Sequence, residues 1–124
     1  IVWNFKEGAD KIWLKRMGRD DTAMWFDEVD FRNTSLLFVE WTHGNSEFYQ
    51  GVDIPVLLNS TPKETLEHRR KRNRDGQTDS PFTTLVLNIE QQELREQAHK
   101  ARIIVSKQGE LLDYEQYQTL MGKE

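Results

Sequence analysis

The sequence contains no cysteine. This absence excludes disulfide bonds, thiolate nucleophiles and every zinc or iron–sulfur site that depends on cysteine ligands. Chains without cysteine are common in reducing compartments, so we expect an intracellular protein, either cytoplasmic or nuclear.

Long apolar runs are also lacking. No stretch approaches the roughly 20 residues that a membrane span requires, and the first residues do not form a signal-peptide pattern. We therefore expect no membrane partner. The chain begins at Ile1 and not at methionine, which leads us to predict a domain excised from a longer protein.

The common catalytic and cofactor motifs are missing as well. The sequence has no Gly-x-Gly-x-x-Gly, no phosphate-binding loop, no serine in a nucleophile elbow and no His-x-x-x-His pair. Its three histidines, His43, His68 and His99, show no ligand spacing. The sequence thus indicates neither a cofactor nor a catalytic residue.

The length and composition suit one folded domain. A chain of 124 residues has the common size of a single domain, so we predict one domain over 1–124. Charged residues make up 31% of the chain and apolar residues 36%, which indicates a lean core that depends on its aromatic side chains.

Short apolar runs separated by turn residues predict a strand-rich first half. The predicted strands lie at 2–5, 12–14, 24–31, 36–39, 48–49, 52–58 and 82–89. The short spacing between the early runs favours antiparallel hairpins over parallel crossovers. The run at 36–39 is the most apolar, and we expect it to be a central strand.

Helices are predicted between and after these strands. Thr61 can cap a helix, Pro62 suits its first position, and Glu64 completes a capping box. A second predicted helix runs from Glu90 to Gly109, unless 102–105 and 110–112 form a hairpin around 107–109. A third, short helix carries Tyr114, Tyr117 and Met121 on one side.

Together these patterns predict an α+β fold. We expect an antiparallel β-sheet or small open barrel of about five to seven strands, an inserted helix near 62–73 and a C-terminal helical region.

The most concentrated charge in the sequence follows the Thr61 capping box. Five basic residues and no acidic ones occupy 69–74, whereas the chain as a whole has a net charge of −4. These five residues are Arg69, Arg70, Lys71, Arg72 and Arg74. Because guanidinium groups suit phosphate and carboxylate contacts, we predict a non-catalytic interaction module that contacts an acidic protein surface or nucleic acid. The alternative is a solvated helix end whose cations stabilise the helix dipole.

The aromatic residues offer a second candidate contact. Most of them are expected in the core, but Trp41 and Tyr49 lie near turns, where an exposed ring can bind a partner. We therefore add both residues to the predicted binding surface.

Two acidic residues suggest an alternative function. Asp30 and Glu40 fall on adjacent predicted strands, a placement that resembles the Mg²⁺-binding carboxylates of restriction-endonuclease-type nucleases. The lysine expected two positions after the second acid is replaced by Thr42. A solvent-facing acidic strand explains Asp30 equally well.

A structural or oligomerisation domain of a larger assembly is the remaining hypothesis. In that case Tyr114 and Tyr117 would form the expected self-association seam.

Overall fold

The computed structural model of this chain describes residues 1–20, 22–72 and 80–122. The chain forms two compact units, Ile1–Glu40 and Trp41–Glu124. The prediction of a single domain excised from a longer protein stays a prediction.

The first unit consists of a short helix and a β-hairpin. Helix α1 (Val2–Lys6) precedes the antiparallel strands β1 (Lys11–Met17) and β2 (Met24–Asp30). The hairpin turn begins at Gly18, whose N–H donates to the Ala23 carbonyl at 2.7 Å. A Cβ atom at Gly18 would lie 2.7 Å from the Ala23 Cβ, so the turn needs glycine because a side chain at this position would collide with Ala23.

Aromatic packing fixes α1 to the end of the hairpin. Val2 and Phe31 are buried, and the Phe5 ring packs edge-on against Phe31 with centroids 5.2 Å apart. The predicted strand at 2–5 is therefore wrong. A helix turns Val2 and Phe5 toward the same side, and the Phe5 N–H donates to the Ile1 carbonyl at 3.0 Å.

The run at 36–39 is also not a strand, contrary to the sequence prediction. In the described part of the first unit, no third strand pairs with the hairpin. Leu36 and Phe38 are exposed at 67% and 85%. An apolar run without a neighbouring strand has no ladder of hydrogen bonds to fix it in the extended form.

The second unit is a mixed sheet with helices. Its elements in chain order are β3 (Val56–Leu58), α2 (Pro62–Arg72), α3 (Pro81–Gln97), a 3₁₀ turn (Ala98–Lys100), β4 (Ile103–Val105), β5 (Leu111–Leu112) and α4 (Tyr114–Gly122). Strands β3 and β4 are parallel, and β4 and β5 are antiparallel. The parallel pair follows from the long helical connection through α2 and α3.

One face of this sheet forms the core of the second unit. Leu57 of β3 and Ile104 of β4 lie side by side and pack with Ala98, Tyr117 and Met121. All five residues are at most 6% exposed. The core therefore joins the sheet to the end of α3 and to α4.

The opposite face of the sheet is aliphatic and open. In the strand register, Val56, Leu58, Ile103, Val105 and Leu111 share this face. Leu58 and Leu111 are 73% and 74% exposed. Strands of parallel sheets are usually apolar on both faces because both faces are covered, so this face is aliphatic as in a covered sheet although Leu58 and Leu111 are exposed.

The structure confirms the α+β class, with five strands in the described residues, the inserted helix α2 and the C-terminal helix α4. It also confirms the alternative in which β4 and β5 form a hairpin after α3. The expected helix from Glu90 to Gly109 is wrong at its C-terminal end, because α3 ends at Gln97.

The predicted strand at 82–89 is wrong, since these residues form the first half of α3. Ser80 caps the helix by accepting the Thr83 N–H at 3.1 Å, and Pro81 occupies the first helical position. The Thr84 hydroxyl donates back to the Ser80 carbonyl at 3.3 Å. The β-branched residues that suggested a strand are thus accommodated by hydrogen bonds of the first turn. In the run at 48–58 only Val56–Leu58 are strand, and Phe48 lies in a turn.

Candidate ligand-binding surface

The start of α2 is held by the predicted capping box. The Thr61 N–H donates to Glu64 Oε2 at 3.0 Å, and the Glu64 N–H donates to Thr61 Oγ1 at 3.3 Å. The other Glu64 oxygen accepts from Gln108 Nε2 at 3.1 Å. These hydrogen bonds hold the pKa of the Glu64 carboxyl below its ordinary value, with the Thr61 N–H as the main cause.

A polar network fixes α2 against α3. Gln91 of α3 is 8% exposed, and its Nε2 donates to the Ser60 carbonyl at 3.4 Å and to Thr65 Oγ1 at 3.3 Å. The Thr65 hydroxyl in turn donates to the Ser60 hydroxyl at 3.2 Å. Because α2 has no buried residue, hydrogen bonds of this kind, and not core burial, largely position it.

The basic residues predicted to bind lie at the other end of α2. Arg69 is half-buried, and its Nη2 lies 2.7 Å from Glu90 Oε2 on α3. Arg70, Lys71 and Arg72 are exposed in the last turn. Arg74 lies outside the described residues. The structure therefore assigns Arg69 a partner on α3 and leaves Lys71 and Arg72 as exposed cations.

The two predicted aromatic residues are brought together. The rings of Trp41 and Tyr49 pack edge-on, with centroids 5.5 Å apart and an angle of 71° between their planes. Trp41 also contacts the His43 ring at 5.2 Å. Trp41 is 54% exposed, so one ring of the pair can contact a partner while the other supports it.

Two acidic residues of α3 contact both parts of this surface. Glu90 pairs with Arg69, and Glu93 Oε2 lies 3.5 Å from His43 Nδ1. Residues three apart lie on the same side of a helix. One side of α3 therefore contacts both the basic end of α2 and the segment that carries Trp41 and His43. The sequence does not predict this role, because the partners of Glu90 and Glu93 are distant in the chain. The three-residue spacing of these two acids, which places them on one side of the helix, is the local signal that points to it.

The Asp30 carboxylate forms hydrogen bonds with a neighbouring arginine. Its Oδ1 accepts hydrogen bonds from the Arg32 backbone N–H and from Arg32 Nε, both at 3.0 Å. These contacts hold the pKa of the Asp30 carboxyl far below its usual range.

Glu40 lies outside any strand. Within 1–20, 22–72 and 80–122, no group of three or more His, Asp or Glu side chains is placed to hold a metal ion. The nuclease hypothesis stays a prediction without a supporting contact.

The predicted seam at Tyr114 and Tyr117 is mostly inaccessible. Tyr117 is 4% exposed in the core of the second unit, and burial raises the pKa of its hydroxyl. Tyr114 stacks on Tyr117 with centroids 5.9 Å apart and is 43% exposed. Of these two rings, only that of Tyr114 is accessible to a partner.

Sequence comparison finds a long bacterial relative. The chain is 47% identical over 116 residues to the bifunctional alpha-galactosidase/sucrose kinase AgaSK of Mediterraneibacter gnavus. The match covers 94% of this chain but only 12% of that protein, so the chain spans a small part of its relative's length. No protein-family model matches the sequence, and no solved structure matches it. In the described part of the chain, no helix has the length and apolar character needed to cross a membrane.

Proposed function

We propose that this chain is a non-catalytic binding part of a larger carbohydrate-active enzyme similar to the alpha-galactosidase/sucrose kinase. In this proposal the basic end of α2 contacts a phosphate-bearing ligand. The observation that carries it is the exposure of Arg70, Lys71 and Arg72 in one helical turn of a chain whose net charge is −4.

The helix dipole alone does not account for the number of positive charges in the last turn of α2. The C-terminus of a helix is equivalent to about −0.5 elementary charge, whereas the last turn of α2 carries four basic residues. Glu90 offsets Arg69, and Lys71 and Arg72 add two further positive charges at exposed positions. The excess positive charge therefore supports contact with an anion outside the helix.

Phosphate is the anion that the comparison favours. The relative is named a kinase, and kinases bind the phosphates of their nucleotide with cations. Arginine offers a planar set of donors that matches phosphate oxygens. The sequence has no Gly-x-x-x-x-Gly-Lys-Ser/Thr motif, so this chain would supply cations and not the phosphate loop.

The proposal keeps the intracellular location expected from the absence of cysteine. Nucleic acid and an acidic protein surface are the competing partners for the same cations.

The test is a titration of the ¹⁵N-labelled 124-residue chain, followed by NMR. Three ligands are compared: ATP, a single-stranded oligonucleotide and a poly-glutamate peptide. We expect ATP to shift the amides at the end of α2, and we expect the Lys71→Glu/Arg72→Glu variant to lose these shifts. Lys15→Glu/Arg19→Glu is the matched control, because it makes the same charge change at exposed residues of the first unit.

The three ligands separate the partner classes. If the oligonucleotide shifts these amides and ATP does not, the ligand is nucleic acid and the nucleotide proposal is wrong. If the peptide shifts them and ATP does not, the partner is an acidic protein surface. If none of the ligands shifts α2, or if charge reversal changes nothing, the basic end has no anionic partner of these kinds.

A second candidate function is that of a structural part of a larger assembly. The open sheet face favours this function. Leu58 and Leu111 on this face are each more than 70% exposed, and exposed aliphatic patches commonly mark interfaces. We expect the isolated chain to self-associate, as sedimentation velocity over a concentration range would show. Leu58→Lys/Leu111→Lys should restore a monomer, whereas Phe82→Lys, at an equally exposed position of α3, should not.

A further inference from the structure

An aromatic ring, two carboxylates and a guanidinium group are linked in this order along one side of α3. The Trp41 ring contacts the His43 ring, and His43 Nδ1 lies 3.5 Å from Glu93 Oε2. One turn earlier in α3, Glu90 Oε2 lies 2.7 Å from Arg69 Nη2. An aromatic surface and a cationic surface therefore lie at the two ends of one row of side chains.

The cationic end of this row continues beyond Arg69. Arg72 lies three residues after Arg69 in α2, so the two arginines are on the same side of that helix. Lys71 and Arg72 are both exposed. The row thus ends in cations that an outside ligand can contact.

The other parts of the row are also accessible. Trp41 is 54% exposed, and the Glu93 side chain is 44% exposed. A ligand lying along this side of α3 can therefore contact the ring, the carboxylate and the cations together.

The Trp41 ring is held in place before any ligand binds. Tyr49 packs edge-on against it at 5.5 Å, and His43 packs edge-on against it at 5.2 Å. A side chain that is already ordered loses less conformational freedom on binding. The two supporting rings therefore favour stacking of a flat group on the exposed part of Trp41.

The order of these groups matches the order of the parts of a nucleotide. A base stacks on an aromatic ring, ribose hydroxyls donate to a carboxylate, and phosphates contact arginine and lysine. Inorganic phosphate or an acidic peptide would use the cations alone. The exposed ring and the carboxylate thus favour a ligand that carries a ring and hydroxyl groups as well as phosphate.

We infer that this side of α3 binds a nucleoside phosphate, with its base stacked on Trp41, its ribose at Glu93 and its phosphates at Lys71 and Arg72. The inference rests on the proposed function, which assigns phosphate to the basic end of α2, and it adds the contacts of the base and the ribose. Stacking on an aromatic ring tolerates every base, so the ligand class is a nucleoside phosphate and not one particular nucleotide.

The test compares ATP with inorganic tripolyphosphate, each titrated into the full ¹⁵N-labelled chain at constant ionic strength. Both ligands carry three phosphates, and only ATP carries a base and a ribose. We expect both to shift the amides at the end of α2, and only ATP to shift the Trp41 indole N–H. ATP should bind at least about fivefold more tightly than tripolyphosphate, which is the lower end of the usual contribution of one stacked base.

Variants then assign the contacts. Trp41→Leu should weaken ATP binding to the tripolyphosphate value and leave tripolyphosphate binding unchanged, whereas Trp41→Phe should retain most of the difference. Glu93→Gln should weaken ATP binding several-fold without weakening tripolyphosphate binding, because only ATP carries a ribose. Trp13→Leu is the matched control, since it removes an exposed tryptophan of the first unit, and it should change neither affinity.

The outcomes separate this inference from the proposed function. Equal affinities for ATP and tripolyphosphate, with no shift of the Trp41 indole, overturn the inference and leave phosphate binding by α2 standing. If neither ligand binds, the proposed function fails and the inference fails with it. ATP binding that Trp41→Leu leaves intact also overturns the inference. The comparison of the two ligands on the unmodified chain needs no variant, so it decides the question even if Trp41→Leu does not fold.

Discussion

The capping box of α2 gives the sharpest stability prediction. Thr61 is 2% exposed, and its hydroxyl accepts the Glu64 N–H at 3.3 Å. The change Thr61→Ala removes this acceptor, whereas Thr61→Ser keeps it. Since both changes remove the same methyl group, the difference between the two variants isolates the oxygen.

The expected difference is about 1 kcal/mol, the usual cost of replacing a capping residue by alanine. Because α2 has no buried residue, little core packing compensates for the loss. Opening of the first turn should become about fivefold more frequent in the alanine variant than in the serine variant.

Amide hydrogen exchange of the first turn, measured by NMR on both variants, reports this opening directly. Urea unfolding of the same samples gives the global free energy of unfolding. The reasoning is refuted if Thr61→Ser and Thr61→Ala exchange at the same rate, since the oxygen would then contribute nothing to the helix.

Two further predictions concern pH and the core. The folded-state pKa of Glu64 is lowered, so the stability that the ionised carboxylate contributes is complete above the unfolded-state pKa of roughly 4.3 and is lost as the pH falls through the lower folded-state pKa. Exchange of the α2 amides should therefore accelerate on acidification, and Glu64→Gln should remove that pH dependence. Ile104→Ala should lower the free energy of unfolding by about 2–5 kcal/mol, because Ile104 is 4% exposed in the core. Leu111→Ala, on the open face at 74% exposure, should change it by less than about 0.5 kcal/mol, and equal losses in urea titrations would show that the sheet faces are assigned wrongly.

The sequence predicted those elements whose signals are local. The capping box at Thr61 and Glu64 lies within four residues, and both its hydrogen bonds are present. Ser80 and Pro81 form the same kind of helix start, but the β-branched residues that follow them suggested a strand. The local capping signal was the more reliable of the two.

The errors arose where distant residues decide the structure. The run at 36–39 has strand composition but no neighbouring strand in the described residues of its unit. The parallel pairing of β3 and β4 depends on a connection of two helices, which hydrophobic periodicity does not reveal. A pattern of single residues also cannot show which segments become neighbours.

The candidate site could be predicted only in part for the same reason. The basic residues at 69–72 and the ring of Trp41 are at or near the surface as expected. The ion pair of Arg69 with Glu90 and the contact of His43 with Glu93 join residues that are 21 and 50 positions apart.

The most direct test of the central claim is calorimetric measurement of the ATP dissociation constant for three forms of the 124-residue chain. These forms are the unmodified chain, Lys71→Glu/Arg72→Glu and Lys15→Glu/Arg19→Glu. Loss of two charge-assisted contacts should weaken binding at least about tenfold in the first variant, whereas the control should stay within about twofold. Equal affinities in all three forms would contradict the claim that the basic end of α2 binds phosphate.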